Sequence, residues 1–107
     1  MRSFMPNRWP FADAESLAVL SLTRIVSDNS NVLYAKHDWD GSWQFLDGED
    51  CTTDDAVILG LSEIIAIDPT LCELAALPIG FFAFRDTINA PWQVEYSGEE
   101  EEEEEEE

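Results

Sequence analysis

Apolar and polar residues alternate along several short runs of this chain, a pattern typical of strands with one buried face. The first run, residues 17–26, is rich in leucine and β-branched residues and leads into a polar turn at 27–31. Residues 32–38 and 43–46 flank Gly41, which can adopt positive φ, so these two runs predict a β-hairpin. Together with the first run, the hairpin predicts an antiparallel three-stranded meander.

The middle of the chain changes to a helical period. Five apolar residues recur at i, i+1, i+4, i+7 and i+8, namely Val57, Ile58, Leu61, Ile64 and Ile65. This stripe predicts a helix, although the β-branched residues at 56–59 would also fit a strand. Asp68 is a good N-cap and Pro69 suits a first helical turn, so a second, short helix is predicted over 70–76.

Two further alternating runs, residues 81–85 and 92–96, are rich in aromatic residues and are separated by a turn that contains Pro91. They predict a second hairpin. The fold class predicted for the chain is therefore α+β: an antiparallel sheet of about five strands, in the order β-β-β-α-α-β-β, with the helices packed on one face.

The length of 107 residues predicts one domain, at residues 17–98, between two flanking segments. Residues 1–16 show no sustained period and predict an irregular N-terminal arm. Trp9 and Phe11 could dock on the domain, but a frayed arm is the favoured interpretation. Residues 99–107 are nine consecutive glutamates, the glutamate tail, which cannot bury apolar surface and is predicted to be disordered.

The chain is strongly acidic, with 24 acidic residues against 5 lysines and arginines, for a net charge of −19. This balance argues against a nucleic-acid partner, because affinity for phosphates comes from lysine and arginine. It suits a basic protein partner, although solubility alone would explain it as well.

No apolar run approaches the roughly 20 residues of a membrane span, and no secretory pattern opens the chain. We therefore expect no membrane association and a cytoplasmic protein. Two cysteines are too few for a disulfide framework. Cys72 is expected to pack as a small apolar residue, whereas Cys51 falls in a polar loop.

The candidate chemistry concentrates around His37, the single histidine, and the acidic residues that follow it. Neighbours on a strand point to opposite faces, so His37 and Asp38 do not converge on one substrate. A calcium loop counted from Asp38 would need glycine at its sixth position, where Trp43 stands. The acids between 47 and 55 have no ligand spacing and fit a solvated loop. The sequence therefore predicts no catalytic residue, no metal site and no cofactor.

Three stretches carry a family resemblance: residues 41–48, residues 58–71, and residues 77–86. Their order and spacing resemble a family of small bacterial domains of unknown function that is grouped with the immunity proteins of polymorphic-toxin systems. The resemblance covers roughly residues 17–96. Ser42 is a departure, since family members often have glycine directly before the tryptophan. The resemblance implies an interaction protein and supplies no catalytic residues.

The function predicted on these grounds is a non-catalytic, immunity-protein-like domain that sequesters a toxin or another basic protein. The residues predicted to contact the partner are Trp39, Asp40, Glu49 and Asp50. They lie in the polar turn and the acidic loop, and aromatic anchors dominate protein interfaces. The alternative is a stand-alone structural or regulatory domain that self-associates through an exposed sheet edge. The sequence does not decide the oligomeric state.

Overall fold

A computed structural model describes residues 9–98, and the glutamate tail lies outside these residues. Within residues 9–98 there are six strands and two α-helices: β1 (Ala18–Leu22), α1 (Thr23–Asp28), β2 (Tyr34–His37), β3 (Trp43–Leu46), β4 (Ala56–Gly60), α2 (Leu61–Ile67), β5 (Phe81–Phe84) and β6 (Gln93–Tyr96). Two 3-10 helices span Thr53–Asp55 and Pro69–Leu74. The strands make one sheet in the order β4-β1-β3-β2-β5-β6. The predicted α+β class is confirmed.

The sixth strand, β4, lies where the sequence predicted the first turns of a helix. Its side chains follow a period of two, because Ile58 is exposed while Val57 and Leu59 are half-buried. All five residues of β4 pair with β1, and this ladder outweighs the helical pattern. Gly60 then starts α2, whose Glu63 side chain accepts a hydrogen bond from the Gly60 N–H. The sheet therefore has six strands, where the sequence predicted about five.

The predicted antiparallel meander is also wrong. The first strand ends at Leu22, and residues 23–26 begin α1, which buries Ile25 and ends at Asn29 with φ 63°. The neighbour of β1 in the sheet is β3, which runs parallel to it, and β2 lies on the far side of β3. The other four neighbouring pairs are antiparallel, including both predicted hairpins.

The second predicted helix is a 3-10 helix. Asp68 caps it as predicted, since its carboxylate accepts a hydrogen bond from the Thr70 N–H at 3.0 Å. Three residues per turn place Leu71 and Leu74 on the same inner side. Cys72 consequently faces solvent, so the expectation that it packs in the core was wrong.

The core lies on one face of the sheet. Strand pairing places a set of buried residues on this face: Val19, Ser21, Ala35, Trp43, Phe45 and Ala83. Buried residues of α2 and of the second 3-10 helix complete the cluster. Phe11 joins it at 5% exposure and packs edge-on against Trp43 at 5.5 Å between ring centroids. The part of the N-terminal arm from Trp9 onward is therefore irregular but docked, and the frayed interpretation does not hold there.

The opposite face of the sheet is more open. Tyr34 and Phe82 stack there at 5.7 Å, with Lys36 next to Tyr34 along the same face, and all three side chains are half-buried. Ile58, near one edge of this face, is 62% exposed. The outer strands of the sheet are β4 and β6, and no further strand of the described residues pairs with either. The residues of β6 are all exposed, whereas three of the five residues of β4 are half-buried.

Candidate functional site

The turn between β2 and β3 holds two of the four residues predicted to bind a partner. Its backbone closes through hydrogen bonds from the Asp38 N–H to the Ser42 carbonyl and from the Gly41 N–H to the Asp38 carbonyl. The exposed Asp40 carboxylate accepts hydrogen bonds from the Ser42 hydroxyl at 2.6 Å and the Ser42 N–H at 3.0 Å. These bonds, the one from the hydroxyl first, lower the pKa of Asp40. Asp40 is therefore an exposed anion with a fixed position.

Trp39, beside it, is half-buried and lies directly over Gly80. A Cβ atom at Gly80 would sit 2.6 Å from Cη2 of the indole, so only glycine permits this approach. The ring also meets Tyr96 edge-on at 5.8 Å. The Gly80 N–H donates to the His37 carbonyl at 2.7 Å, which ties the backbone under the indole to β2. The predicted anchor is thus held next to the end of β6.

An exposed apolar surface surrounds this point. Its members, which we call the edge surface, are Trp39, Ile79, Val94 and Tyr96. Val94 and Tyr96 are each 51% exposed and Ile79 is 46% exposed. A shallow groove of about 220 Å³ adjoins it, lined by Glu73, Leu74, Ala76, Leu77, Pro78 and Val94. Apolar contacts of this kind, with carboxylates at the rim, are suited to binding another chain.

Glu49 and Asp50, the other two predicted residues, follow the opposite end of β3. Both are exposed. The structure therefore places Trp39 and Asp40 together and Glu49 and Asp50 together, but it separates the two pairs by the length of a strand. The four residues form two patches on the protein and not one continuous site.

An ion pair between the half-buried Arg24 and the buried Asp47 supports the loop of Glu49 and Asp50. Asp47 is 5% exposed, and its carboxylate accepts two hydrogen bonds from Arg24, at 2.5 and 2.8 Å. It also accepts from the Ser30 hydroxyl and from the Glu49 N–H. The hydrogen bonds from Arg24 are the main reason why the pKa of Asp47 lies well below its ordinary value. The interpretation of Asp47 as part of a solvated loop was therefore wrong.

The other arginine of the described residues, Arg85, is buried, at 4% exposure. It donates five hydrogen bonds within 3.2 Å, two to the Val32 carbonyl and one each to Asp68, Thr70 and the Ile88 carbonyl. Its guanidinium lies 4.1 Å from the centroid of Trp92. The carboxylate nearest to Arg85 in the sequence is that of Asp86. The structure selects Asp68 and Trp92, whereas Asp86 is exposed.

These ion pairs determine the charge of the surface. Residues 9–98 contain fifteen acidic side chains and three basic ones, and two of the three are the arginines paired inside the fold. The third, Lys36, is half-buried. Ten carboxylates of this part of the chain are exposed: Glu15, Asp28, Asp40, Glu49, Asp50, Asp54, Glu63, Glu73, Asp86 and Glu95. No lysine or arginine within these limits is exposed to the same degree.

His37 is occupied by packing contacts. Its ring stacks on Trp43 with 3.9 Å between centroids, and Nδ1 lies 2.7 Å from the Leu77 carbonyl oxygen. A cleft of about 280 Å³ with a mixed polar and apolar lining lies elsewhere, formed by Asn29, Ser30, Asn31, Val32, Ile67, Asp68 and Ile88. Across residues 9–98, no three histidine, cysteine or carboxylate side chains are grouped to hold a metal ion.

Comparisons with family models, with curated proteins and with solved structures each return no match. Within the described part of the chain, neither α-helix has the length and apolar character needed to cross a membrane.

Proposed function

We propose that this chain is a non-catalytic binding domain that sequesters a basic protein, as immunity proteins sequester toxins. The observation that carries the proposal is the single sign of the exposed charge: residues 9–98 have ten exposed carboxylates, and both of their arginines are already paired with carboxylates. A surface of one sign attracts an oppositely charged protein and accelerates their encounter.

The separation of the two predicted patches is compatible with a protein partner. Four residues of β3 span roughly 13 Å at about 3.3 Å per residue. A standard interface covers about 800 Å² on each partner, which corresponds to a patch roughly 30 Å across. A protein can therefore contact the Trp39 end and the Glu49 end of β3 together, whereas a small ligand cannot. Trp39 supplies the apolar contact, and the carboxylates at both ends supply charge.

The test begins with the genes that neighbour the gene for this chain: the proposal expects one of them to encode a toxin, which is co-expressed with this chain in a bacterial host that the toxin kills. The expected result is restored growth, with a complex that purifies at a stoichiometry of one to one. A toxin that remains lethal and does not bind the purified chain contradicts the proposal.

Two variants with equal charge changes would locate the contact. The first neutralises the predicted residues, Asp40→Asn, Glu49→Gln and Asp50→Asn. The matched control neutralises three other exposed acids, Asp28→Asn, Glu63→Gln and Asp86→Asn. We expect at least a tenfold loss of affinity for the first and less than a threefold loss for the control. Equal losses would mean that overall charge, and not these residues, provides the attraction.

The alternative function, a domain that self-associates through a sheet edge, is favoured by one observation: β6 pairs with β5 alone, and its four residues are exposed. Light scattering of the purified chain distinguishes the two. A stable dimer at micromolar concentration favours self-association, and a monomer that binds a basic protein favours the first proposal.

A further inference from the structure

The outer edge of β6 has backbone groups that no strand of the described chain uses. The Ser97 N–H donates to the Gly80 carbonyl at 2.7 Å, which fixes the direction of the ladder between β5 and β6. Because antiparallel ladders alternate, Gln93 and Glu95 also bond toward β5. The N–H and C=O groups of Val94 and Tyr96 consequently point away from the sheet.

The side chains of the same two residues lie on the face that carries the groove. Val94 lines the groove directly, and pairing places Val94 beside Ala83 and Tyr96 beside Phe81. A strand that bonded to Val94 and Tyr96 would place every second side chain over this apolar surface. Trp39, packed against Tyr96, closes one end of it.

The charges near β6 indicate which side chains an added strand should carry. Glu73 lines the groove, and Glu95 projects from the opposite face of β6. The nine glutamates of the tail follow β6 after only Ser97 and Gly98. An added strand therefore meets apolar side chains and Glu73 on one face and the carboxylate of Glu95 on the other.

We propose that β6 is a docking edge for an extended segment of the partner, in which apolar residues alternate with lysine or arginine. The segment adds to the sheet as a seventh strand, with its apolar side chains over Val94 and Tyr96 and its cations near Glu95 and Glu73. This inference rests on the proposed function, because it identifies the contact by which a basic partner is held.

A second copy of this chain fits the edge less well. Each copy carries a net charge of −19, so two copies repel each other as they approach, most strongly at low salt. The negative charge thus discourages self-pairing at an edge that would otherwise be prone to it.

The experiment uses the full chain and a fluorescein-labelled ten-residue peptide of alternating valine and lysine, with binding followed by fluorescence anisotropy. Val94→Pro removes an outward N–H that β5 does not use, so the fold tolerates it as edge strands tolerate proline. Val94→Lys adds a positive charge at the same place. Ile58→Lys is the matched control, because it adds the same charge at an exposed residue of the other edge strand, β4.

The expected result is at least a tenfold loss of affinity for both Val94 variants and less than a threefold loss for Ile58→Lys. A peptide of the same sequence that is N-methylated at its valines should also bind at least tenfold more weakly. Equal losses for Val94→Lys and Ile58→Lys, or unchanged binding of the methylated peptide, would overturn the proposal in favour of diffuse charge attraction. A dimer of the parent chain that Val94→Pro dissociates would overturn it in favour of a second copy.

The outcome is separable from that of the proposed function. A toxin partner that binds Val94→Pro as tightly as the parent chain refutes the docking edge and leaves the binding function in place. Conversely, a parent chain that binds the peptide through Val94 but fails to bind or neutralise the toxin supports the edge and refutes the toxin as its occupant.

Discussion

Replacing Arg85 by methionine should destabilise the fold more than any exchange of a surface charge. The Arg85 side chain is 1% exposed and forms an ion pair with the Asp68 carboxylate, which is 8% exposed. Methionine fills a similar volume but leaves that carboxylate without its cation and the Val32 carbonyl without two donors. Removing one partner of a buried ion pair costs about 3–5 kcal/mol.

That cost is large beside the whole stability of a small domain, which is about 5–15 kcal/mol. For a domain of this size each kcal/mol lowers Tm by roughly 4–8 °C, so a cost of about 3–5 kcal/mol should lower the Tm of the variant by roughly 12–40 °C. The assay is urea unfolding followed by tryptophan fluorescence, because Trp43 is buried and Trp92 lies against the guanidinium. The midpoint shift multiplied by the slope gives the loss in free energy of unfolding.

The matched control is Lys36→Met, which removes the same charge from a half-buried side chain that forms no ion pair in the described structure. We expect it to change the free energy of unfolding by less than about 0.5 kcal/mol. A double-mutant cycle of Arg85→Met with Asp68→Asn should show a coupling of about 1–3 kcal/mol. A cost below about 1 kcal/mol for Arg85→Met, or no coupling to Asp68, would refute the interpretation of this pair as a structural bond.

Three further predictions test particular contacts. Gly80→Ala should lower the free energy of unfolding by about 2–3 kcal/mol, and Gly41→Ala, at a similar φ but with open space around it, by about 1–2 kcal/mol, as urea titrations would show. Asp47→Asn should lower the free energy of unfolding at neutral pH, because the hydrogen bonds from Arg24 stabilise the ionised carboxylate and so lower the pKa of Asp47. The difference in stability between this variant and the parent chain should shrink as pH falls below 3.8, where the parent's carboxyl becomes protonated. Cys51 and Cys72 should both react with a thiol reagent at full rate without denaturant, because both are free and exposed. One slow thiol would contradict that exposure.

The sequence predicted best those elements whose signal is local. The strand at 43–46 has the predicted limits, and its two inward residues, Trp43 and Phe45, are in the core. The Asp68 cap was also predicted, because a cap is read from adjacent residues. The local signal failed at Ala56–Gly60, where the spacing of apolar residues fits a helix and a strand equally well, and pairing with β1 decides between them.

The two ion pairs could not be predicted because their partners are distant in sequence. Arg24 and Asp47 are 23 residues apart, and Arg85 and Asp68 are 17 apart. One signal was present: both arginines lie within or beside apolar runs, where a charge is costly unless it is paired. This indicates that each needs a partner but not which of fifteen acidic side chains supplies it.

The contacts of the candidate site also join residues that are distant in sequence, so the sequence could not predict them. Trp39 could be identified as the aromatic residue of a turn, but its contact with Tyr96 depends on the pairing of β2 with β5 and of β5 with β6. Gly80, in the last of the stretches that carry the family resemblance, is the residue under the indole. The contact with the indole by itself explains why glycine is required at this position. This part of the resemblance therefore does not require that the family and this chain bind the same partner. The proposed binding function therefore rests on the exposed edge of β6 and on the acidic surface, and measurements with a basic partner are the appropriate test.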